Sequence, residues 1–396
     1  MHFKPSDDRT VMPLVLRLMQ FLGVWDEHGT RYPYKYIVVF LCYCFGILIP
    51  KVFSSYPTRE ATIRSYSELI LETNVYGGML MFYLRLDYLK PLVAEIRSFA
   101  AIIFRHNQPT IVQQNLVQLN LHLHKYTLGY CLYMCCVCTV YCVTPLWSNF
   151  TGYMATTTRG NVTSGSSYEF ILYHEQDFYW LNNRTSLKGY CVFTVVMFPI
   201  MYLCAATGTV KVVAVFNTIK YCETMLRVVV LKIQHLRTVP DVRQRADGMS
   251  EVRQLHQRAL RCAKLLELTL QPLLLMQFIL CILVWCSMML YFTVSAFNVK
   301  LVNMFLLFLF VSIETLGYCY LGAQLTHESF NVGRALYDFS WYDFDTSMRK
   351  HISFMIMRSQ CRVGLTAAKF CFVDMEQFGA MLNMSYSFFV VVKDVF

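Results

Sequence analysis

The strongest constraint on this chain is the recurrence of apolar stretches close to the length an α-helix needs to cross a bilayer, about 20 residues. Seven of them fall at residues 36–53, 66–84, 126–147, 188–210, 272–295, 302–321 and 374–392. The reading is therefore an all-α, multi-pass membrane protein with seven transmembrane helices. Composition agrees, with 56% hydrophobic and 15% charged residues, against ~45–50% and ~25% in soluble domains. The second stretch is the most interrupted, by Glu68, Glu72 and Asn74. Residues 1–10 carry Lys4, Asp7, Asp8 and Arg9, and residues 11–24 contain Pro13, Arg17 and Gly23. That is not the pattern of a cleaved signal, so the first spanning helix is expected to direct insertion.

Two features orient the spans. Between helices three and four, residues 148–187 hold three glycosylation sequons, at Asn149, Asn161 and Asn183, and glycans are added on the lumenal side. Placing that loop outside puts the N-terminus inside and, after seven crossings, the C-terminus outside. Lys and Arg then number 27 inside against 8 outside, as the positive-inside bias requires. A fourth sequon, Asn383-Met384-Ser385, lies within an apolar helix and reads as a chance match.

The expected organisation follows. A cytoplasmic N-terminal segment (1–35) leads into helices one to four (36–210), which carry the glycosylated extracellular loop 148–187. Cytoplasmic extensions of helices four and five (211–271) precede helices five and six (272–322). A cytoplasmic anchor segment (323–373) precedes the last helix and a short extracellular tail (374–396). Thr238-Val239-Pro240-Asp241 should break the first extension, with a new helix starting near Ser250 as N-cap. These extensions are amphipathic, so they either pack as a cytoplasmic helical bundle or lie on the inner leaflet.

No constellation for catalysis, a metal or a cofactor is present. His122 and His124 lack further ligands at suitable spacing, and Cys135-Cys136-Val137-Cys138 sits in an apolar helix, where thiols behave as small hydrophobes. The net charge of +10 comes without the basic–aromatic interleaving of a nucleic-acid binder, so no nucleic acid is expected.

The last helix carries a polar stripe. At about 100° per residue, Glu376, Asn383, Ser387 and Asp394 share one face, with Val390 and Val391 near the outer end. Such a stripe is either an interhelical hydrogen-bond seam or the wall of a pore with a dry constriction. Glu68 and Glu72, four residues apart, face either a water-filled cavity or the headgroup boundary. Tyr76, Tyr141, Trp147, Phe193 and Met197 either line a small apolar pocket or form part of an interfacial aromatic belt.

Near the C-terminus, Ala335-x-Tyr337, Trp341-Tyr342, Met357-Arg358-x-Gln360, Ala368-Lys369-Phe370 and Phe378…Leu382-x-x-Ser385-Tyr386-Ser387 resemble the closing signature of insect odorant receptors. Leu18…Leu22-Gly23-Val24-Trp25 is similar to that family's lead-in to its first helix. The resemblance implies a subunit of a ligand-gated, non-selective cation channel, one of four around a central pore lined by the last helix. It implies assembly with a shared co-receptor subunit in a heteromeric tetramer. It also implies a small volatile odorant held among helices in the outer leaflet, with Glu72, Tyr76, Tyr141, Trp147, Phe193 and Met197 as contacts, and a setting in the plasma membrane of an olfactory neuron among membrane lipids. The pore wall would be Glu376, Asn383, Ser387 and Asp394, and the gate Val390 or Val391. Cys361 stands where the family usually has Pro, and Val390 where it often has Thr. A gustatory receptor shares the topology but not the last-helix signature seen here. A G-protein-coupled receptor needs the opposite topology, and a solute transporter needs internal repeats that this sequence lacks.

Overall fold

The computed structural model describes residues 11–26, 33–53, 56, 58–104, 110–158, 168–179, 181–295 and 299–393, and it is almost wholly helical. Helix α1 (Pro13–Phe21) has Pro at its first position, where the missing N–H costs nothing. It ends at Gly23, whose φ of 76° is left-handed and whose backbone N–H bonds the Gln20 carbonyl at 3.0 Å. A Cβ at Gly23 would lie 2.5 Å from the Lys35 Cβ, so only glycine lets the chain turn here. The Leu22-Gly23-Val24-Trp25 motif is thus a helix stop flanked by buried apolar residues.

Helix α2 (Pro33–Tyr43) passes through a π-helical turn (Cys44–Leu48) into α3 (Ile49–Phe53). Helix α4 (Arg59–Leu84) breaks at Arg85 into α5 (Leu86–Ile103). Four very long helices follow: α6 (Thr110–Thr158), α7 (Leu187–Leu236), α8 (Val242–Val294) and α9 (Val299–Tyr337). Helix α10 (Thr346–Gln360), a two-residue hairpin of β1 (Thr366–Ala367) and β2 (Cys371–Phe372), and α11 (Met375–Lys393) complete the chain. In the hairpin turn Ala368 and Lys369 both take positive φ, so the Ala368-Lys369-Phe370 motif is a tight reversal set just before α11. Among the described residues, five helical stretches are long and apolar enough to span a membrane: Tyr34–Phe53, Thr110–Ala155, Leu187–Leu236, Val242–Val294 and Met304–Tyr337. The protein is an all-α, multi-pass membrane protein. Helices α4 and α11, the second and seventh expected spans, are not in that set.

Several boundaries differ from the sequence reading. Helix α6 starts 16 residues before position 126 and runs on through Asn149, which shortens the expected loop 148–187. The break after Leu236 is where it was expected, but the next helix begins at Val242. Asp241 caps it, its carboxylate accepting from the Arg243 N–H at 3.0 Å. Ser250 lies inside that helix. Asp carries a charge to the helix N-terminus as well as a hydrogen bond, and its position just after Pro240 fixes the start.

The helix extensions pack against one another as a bundle. Met249, Val252 and Leu255 of α8 share a core with Val332 and Leu336 of α9 and with Ile352 and Met355 of α10. Nearer the middle of the long helices is a buried polar knot. Lys211 of α7 pairs with Glu314 of α9 at 2.7 Å and donates to Gln277 of α8 at 3.2 Å. Gln277 in turn donates to Thr315, and Tyr318 donates to Glu314 at 2.7 Å. Buried charges persist only when paired and hydrogen-bonded in this way.

Candidate ligand-binding site

At the end of the molecule away from the extension bundle, α2, α4, α6 and α7 enclose a second apolar cluster, separate from the main core. Tyr43 stacks on Tyr76 with ring centroids 4.5 Å apart, and Tyr173 and Phe178 reach Phe193 at 5.7 and 6.1 Å. Tyr76, Phe193 and Met197 are fully buried there, and Tyr141 is half-buried at its edge. The tertiary structure brings these four sequence-derived contact residues together. Trp147 does not join them: its side chain is 68% exposed on the outside of α6. It lies on the open face of α6, away from the face that buries Cys142 and Pro145.

What covers the cluster is segment 168–186, expected as a solvated extracellular loop. Its His174, Glu175 and Gln176 are almost wholly buried. Gln176 donates from Nε2 to the Gly46 carbonyl at 3.1 Å, and the Tyr179 hydroxyl donates to the Phe45 carbonyl at 2.6 Å. These carbonyls belong to the π-helical turn. The segment is tied down further by charge. Glu68 accepts from Lys51 at 2.7 Å and from Arg64 at 3.0 Å. Arg64 continues to Glu175 at 3.0 Å, and Arg184 bridges Glu175 and Asp177, each at 2.8 Å. Arg64 also donates to the carbonyls of Leu172 and Tyr173. His174 contacts the Glu72 carboxylate through Nε2. Glu68 and Glu72 are not exposed on the surface of α4: both are buried, Glu68 between Lys51 and Arg64 and Glu72 against His174.

Two of the three sequons are part of this packing. Asn149 is buried, its Nδ2 donating to the Ile171 carbonyl at 2.7 Å and the Tyr190 hydroxyl at 2.8 Å, while its Oδ1 accepts from the Ile171 N–H. Asn183 is buried too, with Nδ2 donating to the Gln176 carbonyl at 3.0 Å. A glycan needs that nitrogen and open space, so neither Asn149 nor Asn183 fits as an acceptor in this fold. Asn161 lies outside the described residues.

Helix α11 presents the other expected site. Met381 and Ser385 are buried and Phe378, Phe389 and Val392 pack against the core, with Phe378 edge-on to Trp285 of α8 at 5.5 Å. At about 100° per residue these lie roughly 180° from the polar stripe. Glu376, Asn383 and Ser387 accordingly face away from the chain's own helices, as do Val390 and Val391, which are 42% and 66% exposed. A Cβ built on Gly379 meets nothing. Asp394 lies outside the described residues. The stripe is therefore not a hydrogen-bond seam within this chain. Among the described residues no group of three or more metal-ligating side chains occurs, His122 and His124 included.

The sequence reading missed Tyr173, His174, Gln176 and Lys51. A polar triplet inside an aromatic-rich stretch, residues 168–179, was the available signal, but its partners are about a hundred positions away.

Comparison with known proteins is consistent with this architecture. Stretches of the chain are 31% identical to odorant receptor 30a over 77 residues and to odorant receptor 67a over 123 residues, both from Drosophila melanogaster. These matches cover 19% and 31% of this chain and only 20% and 30% of those relatives' own length. The fold matches the insect olfactory receptor OR5 of Machilis hrabei with a TM-score of 0.70, covering 96% of this chain and 97% of that one at 13% identity. The same receptor in complex with eugenol matches with a TM-score of 0.67. The 7tm odorant receptor family model matches residues 60–386, most of the chain. That match shows that this chain, with its long helices and covered aromatic cluster, belongs to the 7tm odorant receptor family.

Proposed function

We propose that this odorant receptor is the ligand-binding subunit of an odorant-gated, non-selective cation channel. A small volatile binds in the cluster among α2, α4, α6 and α7, in contact with Tyr76, Tyr141, Phe193 and Met197, with Glu72 beside them. Binding opens a pore to which α11 contributes Glu376, Asn383 and Ser387, with Asp394 following it in the sequence, and the pore is narrowest at Val391 or Val390. The observation that carries the reading is the orientation of α11: its apolar ridge packs inward and its polar stripe faces outward, away from this chain. Polar groups at membrane depth need protein or water opposite them, which other subunits around a pore supply. A shared co-receptor subunit in a heteromeric tetramer completes that ring.

In this reading the extension bundle and the N-terminus are cytoplasmic and the C-terminus is extracellular, in the plasma membrane. The concentration of Lys and Arg toward the bundle end supports that direction. Thiol accessibility tests the pore assignment. With the co-receptor co-expressed, Ser387→Cys is expected to react with an extracellular thiol reagent mainly while odorant is present, and Val391→Cys in both states. Equal reaction of Ser387→Cys without odorant overturns the placement of the gate.

A further inference from the structure

Around the aromatic cluster the buried polar atoms without hydrogen-bond partners include Glu72 Oε2, Gln176 Oε1, the Tyr76 and Tyr173 hydroxyls and His174 Nδ1. Their side chains are 3% exposed or less. Native folds pair almost all such groups, and an exception calls for a ligand, an ion or an ordered water. Two of these, a carboxylate oxygen and a carboxamide oxygen, can only accept. Both stand beside residues of the proposed ligand site. Glu72 is one helical turn from Tyr76, and the Gln176 side chain touches the Met197 sulfur at 3.3 Å through Nε2, which leaves Oε1 free. The remaining carboxylate oxygen of Glu72, Oε1, is taken by His174.

We infer that the ligand of this receptor carries at least one O–H or N–H donor, as in a volatile alcohol, phenol or amine, and that Glu72 and Gln176 are the acceptors that select it. The inference rests on the reading of the aromatic cluster as the odorant site. Esters, ethers, ketones and hydrocarbons fill the aromatic wall equally well but leave both acceptors unpaired in a site closed to bulk water. A site built to bond a hydroxyl discriminates strongly against an analogue lacking it, because its own polar groups are then stranded. A carboxylate ligand is disfavoured for a different reason: it brings a second negative charge up to Glu72. Segment 168–186 is then more than a cover, since it supplies Tyr173, His174 and Gln176 to the polar side of the site.

The test uses the full chain co-expressed with a co-receptor subunit and a broad panel of alcohols, phenols, amines, esters, ketones and hydrocarbons. The most potent agonists are expected to bear a donor. Methylating the donor of the best one, to its methyl ether or fully methylated amine, should raise the half-maximal concentration about tenfold or more. Gln176→Met and Glu72→Gln should narrow that gap in surface-labelled channels. If the methylated analogue is as potent as its parent on the unmodified chain, the donor assignment is overturned, water satisfies these atoms, and the receptor reading stands. If no compound evokes current or binds the purified chain, the receptor reading itself falls and takes this inference with it. The unmodified chain alone decides the matter should either variant fail to reach the surface.

Discussion

At the scale of single residues, His256 makes the extension bundle sensitive to acid. Its ring is buried on α8 and Nε2 has no hydrogen-bond partner. Burial, with the nearby Arg358 charge second, holds its pKa down from 6.5 to about 4. The folded state therefore disfavours the imidazolium, whereas the unfolded chain takes up a proton as pH falls below 6.5. Stability from this group is complete above pH 6.5 and is lost progressively toward pH 4, by at most ~3 kcal/mol. Replacing it, as in His256→Gln, should flatten the fall in melting temperature of the detergent-solubilised protein between those pH values. A second residue-level expectation separates Trp147 from its neighbours. Phe193→Ala and Met197→Ala should shift odorant sensitivity more than maximal current, and Trp147→Ala should shift neither, as dose–response curves will report. The two buried asparagines make a third. Asn149→Gln and Asn183→Gln should leave electrophoretic mobility unchanged after glycosidase treatment and before it, because neither amide has room for a sugar.

At the scale of elements, segment 168–186 is held by ion pairs rather than by secondary structure. Glu68 lies at the centre, with Lys51 and Arg64 both within 3.0 Å and the Glu175 N–H also donating to it. Removing one partner of a buried set strands the rest, at a cost of ~3–5 kcal/mol. Glu68→Ala should thus sharply lower surface expression, and protease protection of segment 168–186 should be lost in whatever reaches the membrane. The double change Lys51→Met with Glu68→Gln, which removes one charge of each sign, should be milder than Glu68→Ala. Helix α11 is the opposite case, an element with one packed ridge and most of its surface open. Its root is fixed closely: a Cβ at Gly322 would lie 2.2 Å from the Val373 carbonyl oxygen, so α9 can approach the end of the hairpin only through a glycine.

At the scale of the molecule, the chain is a receptor of a family without enzymatic activity, built from helices long enough to join the aromatic cluster to the distant bundle. Helix α7 carries Phe193 and Met197 near one end and Ile233 and Leu236 in the core toward the other, with the Lys211–Glu314 pair between them. The proposed orientation is checked by tags at the two termini. An N-terminal epitope should stain only after permeabilisation and a C-terminal one on intact cells; an N-terminal tag accessible on intact cells reverses the topology.

The helical, apolar character of the spans, the break after Leu236 and the polar stripe of α11 were legible in the sequence because each depends on local composition and helical period; of the seven expected spans, α4 and α11 are not among the five described stretches long and apolar enough to cross a membrane. The gathering of Tyr76, Tyr141, Phe193 and Met197 was legible only as one of two options, since aromatic residues suit a pocket and a belt equally; packing brings these four into one cluster and leaves Trp147 exposed on α6. The fate of segment 168–186 was not legible at all. A stretch between two spans that carries His, Glu, Gln, Asp, Arg and a sequon reads as an extracellular loop, and only the fold supplies its partners: Arg64 is 111 positions from Glu175 and Glu72 is 102 from His174. Sequence alone determined that this protein lives in a membrane as a helical bundle, because burying apolar length is a property each segment carries by itself. Which polar groups are buried, which sequons are closed and which buried atoms are left unpaired were decided by tertiary structure, because pairing a charge requires a partner that no local window contains.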